Sequence, residues 1–280
     1  MPGNGPTIGE GLGLFPWPSY IPWPYASLNI PGAVFWVILW LVIYVVVDVF
    51  VSNLLIERRN KGHWFFMHAF ANFFVVVLAF PDVIYTLQDP MYSLDLRNCD
   101  ARLWACNDVA ACNIMAIHLY HVLAYSNLTA DDWFHHLLFC TTILPLHFVY
   151  SWGTWSNTLP FFVSGLPGGI DYFLLFLVKY GAMNPTREKE LNVYLNMWCR
   201  SPGLVTVCVL CYVGYKYSVH TIPVIPTIIG CMLVLFNGQY YAERVVASAN
   251  GAKPSAKPGE KKSTLRRLSD SLAPQQGKDL

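Results

Sequence analysis

His118 and His121 stand three residues apart, and His135 and His136 are neighbours. Residues three apart share one face of a helix. Adjacent residues do not, because each step turns an α-helix by roughly 100°. One of His135 and His136 is therefore expected to point into a site while the other helps to orient it. Imidazole titrates near neutrality, so such a group can take a proton from an amine or hydroxyl nucleophile. Asp131 and Asp132 come just before the pair. They either fix the tautomer of the base or cap the helix that carries it, and Thr129 is another candidate cap.

The elements that must position these side chains are membrane helices. The chain has 280 residues, of which 55% are hydrophobic and only 12% charged. Its mean hydropathy is +0.39. A soluble domain carries about 25% charged residues, and a disordered chain needs low hydrophobicity, so both classes are excluded. The near balance of 18 Lys and Arg against 17 Asp and Glu argues against a nucleic-acid partner. A span needs about 20 mostly apolar residues. Seven runs meet that measure, at 32–56, 64–85, 109–128, 133–152, 159–180, 203–219 and 222–242. They are longer than β-barrel strands and do not alternate in polarity. The expected fold is all-α, a polytopic membrane protein with about seven transmembrane helices.

Orientation follows from the basic residues. With the N-terminus outside, Arg58, Arg59, Lys61, Lys179, Arg187, Lys189, Arg200, Arg244 and the basic tail all fall inside. Only Arg97, Arg102 and Lys216 remain outside. The chain then divides into an extracytoplasmic segment 1–31, a first span and inner turn 32–62, a transmembrane domain 63–245, and a disordered cytosolic tail 246–280. Residues 1–31 lack the basic start of a cleaved signal peptide. The first span serves as the insertion signal, with Trp17, Trp23 and Tyr25 at the outer interface.

The connecting segments carry further expectations. The outer loop 86–108 holds Cys99 and Cys106, which either form a disulfide or remain free thiols. The inner loop 181–202 is expected to form a short amphipathic helix. Asn184 caps it, Pro185 suits its first turn and Pro202 ends it. Leu191, Tyr194, Leu195 and Trp198 lie on one face, against the membrane surface. Asn127-Leu128-Thr129 is a glycosylation sequon on the inner side, where it stays unmodified. Arg266-Arg267-Leu268-Ser269 has the pattern of a basophilic-kinase site. Cys208 and Cys211 have CxxC spacing but lie in lipid, where they are read as packing residues.

Ionisable groups inside spans are expensive and usually face a bundle interior or a watery cavity. Asp48, His68, Asn72, His118, His121, His135, His136, Asp171, Lys179, Asn237 and Gln239 all fall toward the inner side, whereas Asp82 and His147 lie nearer the outer side. This shared depth implies an inner-facing polar chamber, with Asp48, His68, Asn72, His118, His121 and Asn237 lining it. The bland reading of any single Asn or Gln is an interhelical hydrogen bond worth about 0.6 kcal/mol. In span five, Pro167-Gly168-Gly169 interrupts the helix pattern. It either frees backbone amides to bind a carbonyl or anion, or makes a packing kink.

Several known families are tested by these motifs. Di-iron lipid hydroxylases and desaturases carry several HxxxH and HxxHH boxes. One HxxH and one isolated HH are too few, so no metal or resident cofactor is expected. Fatty-acid elongases need an uninterrupted HxxHH, and here Val122 follows His-Leu-Tyr-His. A retinal protein needs a lysine in its last span, and 222–242 has none.

The segment from about His63 to Val245 resembles the TLC (TRAM–Lag–CLN) domain family of endoplasmic-reticulum lipid proteins. An inner basic turn precedes a span with an early His68. Asp89-Pro90 lies in a loop, and an acidic, aromatic approach leads into His135-His136. The next span has Asp171 and then Lys179. The resemblance implies an ER multi-pass protein with a lumenal N-terminus and a cytosolic C-terminus. Its partners would be membrane lipids, and a homo-oligomer is compatible with it. In the ceramide synthases the paired histidines are linked to acyl transfer from acyl-CoA. By resemblance that role falls on His135 and His136, with Asp171 matching the last Asp of the synthases' H-D-x-x-D motif. The rest of that motif is absent here, so the sequence is more similar to the broader TLC group than to the synthases. The leading expectation is lipid binding or handling in lipid homeostasis. The alternatives are an acyltransferase using acyl-CoA as co-substrate and, more weakly, a transporter or channel.

Overall fold

The structure is a computed structural model that describes residues 30–54, 61–95, 108–125, 128–143, 147, 152–217 and 223–252. Every regular element among them is helical. In chain order these are α1 (Ile30–Leu54), α2 (Lys61–Gln88), α3 (Pro90–Leu94), α4 (Val109–Ala124) and α5 (Ala130–Leu138), which runs into a π-helical turn π1 (Phe139–Ile143). Then come α6 (Trp155–Pro160), π2 (Phe161–Gly165) and α7 (Leu166–Lys179), followed by α8 (Pro185–Leu195), π3 (Asn196–Arg200), α9 (Ser201–Lys216) and α10 (Val224–Ala252).

Five stretches are long and apolar enough to cross a membrane: Ala33–Asn53, Gly62–Gln88, Trp155–Lys179, Pro185–Lys216 and Val224–Gly251. The chain is thus an all-helical protein built for a membrane. Seven spans were expected. The third expected span ends early, because α4 is apolar but stops at Ala124. The fourth falls partly outside the described residues. So do residues 1–29, Cys99, Cys106, Asn127 and Ser269. The helix of the last span runs on to Ala252, beyond the expected domain boundary at Val245.

The outer surface of α1 explains why this bundle suits lipid. Val34, Ile38, Val42, Val45 and Val49 are exposed, whereas Trp40, Tyr44, Asp48 and Val51 are buried. Aliphatic residues cover the outward face, and the polar groups of Tyr44 and Asp48 face inward, the reverse of a soluble helix. In lipid the drive to pack comes from close fit and interhelical hydrogen bonds rather than from apolar burial. Tyr44 hydroxyl donates to Asn113 Oδ1, and Asn113 Nδ2 donates to the Ala71 carbonyl at 3.0 Å. One buried asparagine therefore ties α1, α2 and α4 together.

Helix α2 is the central strut, packed on α4, α6, π2 and α7. Small residues let α7 approach it. A Cβ on Gly168 would lie 3.2 Å from Asn72 Nδ2, and one on Gly169 would lie 3.3 Å from Asn72 Cβ. The helix continues through Pro167-Gly168-Gly169. Of the two expected roles for this motif, close packing is the one the structure holds. Asn72 accordingly meets glycine backbone.

Prolines adjoin two of the π turns, π2 and π3. Pro160 and Pro167 flank π2, and Pro202 follows π3. A proline has no N–H to contribute to the ladder, so the wider i→i+5 turn falls where the ladder is already interrupted. Pro202 therefore does not end the inner-loop helix as expected. Instead α8, π3 and α9 form one continuous helical stretch, Pro185–Lys216. Its start is as expected, since Asn184 Oδ1 accepts the Thr186 N–H at 2.8 Å. Helix α7 stops sharply just before it. Gly181 adopts φ +81°, and the Gly181 and Ala182 N–H groups donate to the Val178 and Leu177 carbonyls at 3.1 and 2.8 Å. That is the Schellman closure, which needs a left-handed residue at this position.

Candidate functional site

Helices α2, α4 and α5 bring His68, His118, His121, His135 and His136 into one cluster. His68 and His121 stack at 4.0 Å between ring centroids. His118 lies 5.2 Å from His135 and 5.1 Å from His136, and His121 lies 5.6 Å from His136. Aromatic rings extend the stack on both sides, with Trp64 4.3 Å from His121 and Tyr172 4.3 Å from His68.

The hydrogen bonds assign the tautomers of the neutral rings. Nδ1–H of His118 donates to the Ile114 carbonyl at 2.7 Å, and Nδ1–H of His68 donates to the Trp64 carbonyl at 2.9 Å. Each histidine thus bonds the carbonyl one turn back on its own helix. A carbonyl only accepts, so the proton sits on Nδ1 and the lone pair on Nε2. His118 Nε2 faces His135 Nε2 at 3.2 Å. His135 must therefore donate from Nε2, which leaves its Nδ1 as the basic nitrogen. The Tyr241 hydroxyl lies 3.4 Å from that nitrogen. His121 is 1% exposed, and neither of its ring nitrogens has a hydrogen-bond partner among the described residues. His136 is buried, with Nδ1 likewise unpartnered.

The helix bearing His135 and His136 starts with a reciprocal cap. Asp132 N–H donates to Thr129 Oγ1 at 3.2 Å, and Thr129 N–H donates to Asp132 Oδ2 at 2.9 Å. This is a capping box with Asp in the third position. Asp132 is thus engaged in the cap rather than on an imidazole. The side chain of Asp131 lies outside the described residues.

Asp171 and Asp48 lie in other networks. Asp171 Oδ1 accepts from Asn192 Nδ2 at 2.7 Å. No hydrogen bond joins it to His135 or His136 among the described residues, although its neighbour Tyr172 stacks on His68. Asp48 accepts from Ser52 Oγ at 2.8 Å and from the Tyr120 hydroxyl, and its Oδ1 lies 2.9 Å from His63 Nε2. His63 Nδ1 lies 2.8 Å from the Tyr125 hydroxyl. Tyr125 also lies 6.1 Å from His121 and 4.7 Å from Trp64 between ring centroids, so its ring joins this buried Asp–His–Tyr group to the edge of the histidine cluster. Asn237 is buried on α10, one turn before Tyr241.

A second polar group gathers Asp108, His147 and Ser156. Ser156 Oγ donates to Asp108 Oδ1 at 2.6 Å, and His147 Nε2 lies 3.1 Å from the same oxygen and 2.8 Å from Ser156 Oγ. Ser and Asp meet the same imidazole nitrogen, so this is not the serine–histidine–aspartate relay, which needs one partner on each nitrogen. Asn157 Nδ2 donates to the buried Asp82 at 2.5 Å. His147 and Asp82 therefore stand in contacts between segments far apart in the chain, away from the histidine cluster.

Sequence reasoning missed His63, Asn113 and Arg200 as members of polar networks. Arg200 Nη1 donates to Asn196 Oδ1 at 2.9 Å. The signal for it lay in the four-residue spacing of Glu188, Asn192, Asn196 and Arg200.

Among the described residues no three His, Cys, Asp or Glu side chains are arranged to hold a metal ion. Stacked imidazoles such as His68 and His121 present faces to one another rather than lone pairs to one point. Cys208 and Cys211 pack in an apolar cluster with Trp155, Leu204 and Val234.

The fold and site together define a class: an all-helical protein with several helices apolar enough to span a membrane and a buried cluster of imidazoles. The chain matches no protein-family model, no curated protein and no solved structure.

Proposed function

We propose that this chain is a TLC-like membrane protein of the endoplasmic reticulum that binds or handles lipids in membrane lipid homeostasis. The observation that carries this reading is the convergence of five histidines inside a bundle whose outer face is apolar. Polar groups at such depth are costly and mark ligand paths. Neutral imidazoles offer donors and acceptors to a headgroup or acyl carbonyl, while the apolar helix surfaces hold the chain. In this reading seven spans surround a chamber open to the cytosol, with the N-terminus lumenal. The TLC-like order of His68, Asp89-Pro90, His135-His136, Asp171 and Lys179 supports it, as does the one-sided distribution of Lys and Arg.

The test is photo-crosslinking in membranes with a lipid that carries a diazirine on its chain. Adducts are expected on the segments that hold His118, His121 and His135, and should be lost in His135→Ala/His136→Ala at matched expression. Adducts confined to the outward face of α1, around Val42 and Val45, would overturn the reading.

The geometry of His135 favours one further reading, an acyltransferase that uses acyl-CoA. Here His135 Nδ1 removes the proton of an amine or hydroxyl as that nucleophile attacks the thioester carbonyl. The new C–N or C–O bond forms, the C–S bond breaks and the thiolate leaves. His118 holds the tautomer that keeps Nδ1 basic. Labelled acyl groups should then move from acyl-CoA into lipid with wild type and not with the double variant. No transfer above empty membranes, across several chain lengths, would leave lipid handling alone.

A further inference from the structure

Arg200 ends a ladder of polar side chains. Asn192 Nδ2 donates to Asp171 Oδ1 at 2.7 Å, Asn196 Nδ2 donates to Asn192 Oδ1 at 2.7 Å, and Arg200 Nη1 donates to Asn196 Oδ1 at 2.9 Å. Glu188 and Asn192 belong to the same four-residue spacing. Four residues overshoot the 3.6-residue α turn, so a plain α-helix would swing this stripe around its axis. The wider turns of π3 take back part of that drift. Arg200 is thereby kept on the face that looks toward α7.

The other edge of the guanidinium is unused. Nε is buried and has no acceptor among the described residues. No carboxylate among them lies within ion-pair distance of Arg200. The carboxylate that acts on it electrostatically is Asp171, whose Oδ1 accepts from Asn192. Gly168 packs beside Nη2, and a Cβ there would come into contact with it at 3.7 Å. His135, Tyr172 and Tyr241 all lie within electrostatic reach of the group.

A cation held in an apolar bundle without an ion pair is costly. The Nε–H and Nη2 edge of arginine presents two parallel donors, which match two oxygens of one anion. The ladder grips the opposite corner and fixes the fork before any ligand arrives, which reduces the entropy lost on binding. Because Pro185–Lys216 is apolar enough to cross a membrane, the ligand that reaches Arg200 needs an apolar body as well as a charge.

We infer that Arg200, oriented by Asn196 and Asn192, anchors a binding site for the oxyanion of an amphiphile, a phosphate or a carboxylate. The inference rests on the lipid-handling reading for the apolar part of the ligand, and it adds the headgroup class.

The experiment measures retention of labelled phosphatidic acid, oleate and diacylglycerol by the purified full-length protein in detergent. Phosphatidic acid or oleate is expected to bind at least tenfold more tightly than diacylglycerol, and the stronger of the two names the oxyanion. Arg200→Gln should remove that preference, and Arg200→Lys should keep the charge but recover only part of the affinity. Asn196→Ala should weaken anion binding while diacylglycerol retention is unchanged. Wild type that binds diacylglycerol as well as either anion would overturn the inference and leave lipid handling standing. Retention of none of the three would overturn both. The comparison within wild type decides the matter even where Arg200→Gln fails to fold.

Discussion

His118 and His135 meet Nε2 to Nε2 at 3.2 Å, although they lie on different helices. Two nitrogens that both carry protons, or both lone pairs, would repel at this distance. The Ile114 carbonyl breaks the tie by holding the proton of His118 on Nδ1. A backbone carbonyl on α4 thus sets the proton position of a side chain on α5.

This relationship predicts a spectroscopic signature. Protein labelled with ¹⁵N-histidine should show His135 as the Nε2–H tautomer. In His118→Ala the lock is removed, and His135 should become a mixture of tautomers. An Nδ1–H tautomer at His135 in wild type would contradict the assigned hydrogen-bond direction.

His121 should separate stability from function. It stacks on Trp64 and His68, and both of its nitrogens lack partners. His121→Phe keeps the ring and removes two unsatisfied groups. Unpaired buried polar atoms are costly, so thermal stability is expected to hold or rise by about 1 kcal/mol. Lipid crosslinking should fall in the same variant. A clear loss of melting temperature would show that the imidazole serves the fold instead.

Gly203 should be intolerant of any side chain. A Cβ there would stand 2.2 Å from Phe162 Cδ1 and 2.9 Å from Phe162 Cβ. Gly203→Ala should therefore destabilise the protein by about 1–3 kcal/mol, as overpacking does. Phe162→Ala in the same chain should recover part of the loss relative to Phe162→Ala alone. Thermal unfolding of the three variants in one detergent tests the coupling.

Thr129 is expected to act at a distance from its own position. Thr129→Ala removes one half of the cap on α5, at a cost of about 1 kcal/mol. Hydrogen exchange should rise over the first turns of that helix and remain unchanged in α2. Equal exchange throughout would mean that packing, not the cap, holds His135 and His136.

Much of the histidine cluster was legible in the sequence, because helix polarity and span limits put His68, His118, His121, His135 and His136 at one depth. Depth says nothing about rotation around each helix, however. Asp48 and Asn72 share that depth but turn toward His63 and toward Gly168 and Gly169 respectively. The Arg200 stripe was hidden for a different reason. Pro202 reads as a helix stop by its missing N–H, yet the chain passes from π3 through it as a helix. The helix expected up to Pro202 was read by its apolar face of Leu191, Tyr194, Leu195 and Trp198, so the spacing of Arg200 from Asn196 carried no weight. The number of spans was the least legible quantity, since α4 is a largely apolar helix yet ends at Ala124.

The inward-facing stripe of α1 also sets a timetable for synthesis. Tyr44 finds its acceptor on Asn113, 69 residues later in the chain. Asp48 finds Tyr120 72 residues later, and meets His63 much sooner. At about 5–20 residues per second, a nascent chain leaves Tyr44 without Asn113 for roughly 3–14 s. For most of that interval α1 is complete while Asn113 of α4 has not been made. His63, which meets both Asp48 and Ser52, is therefore able to hold the first helix in register long before Asn113 is made.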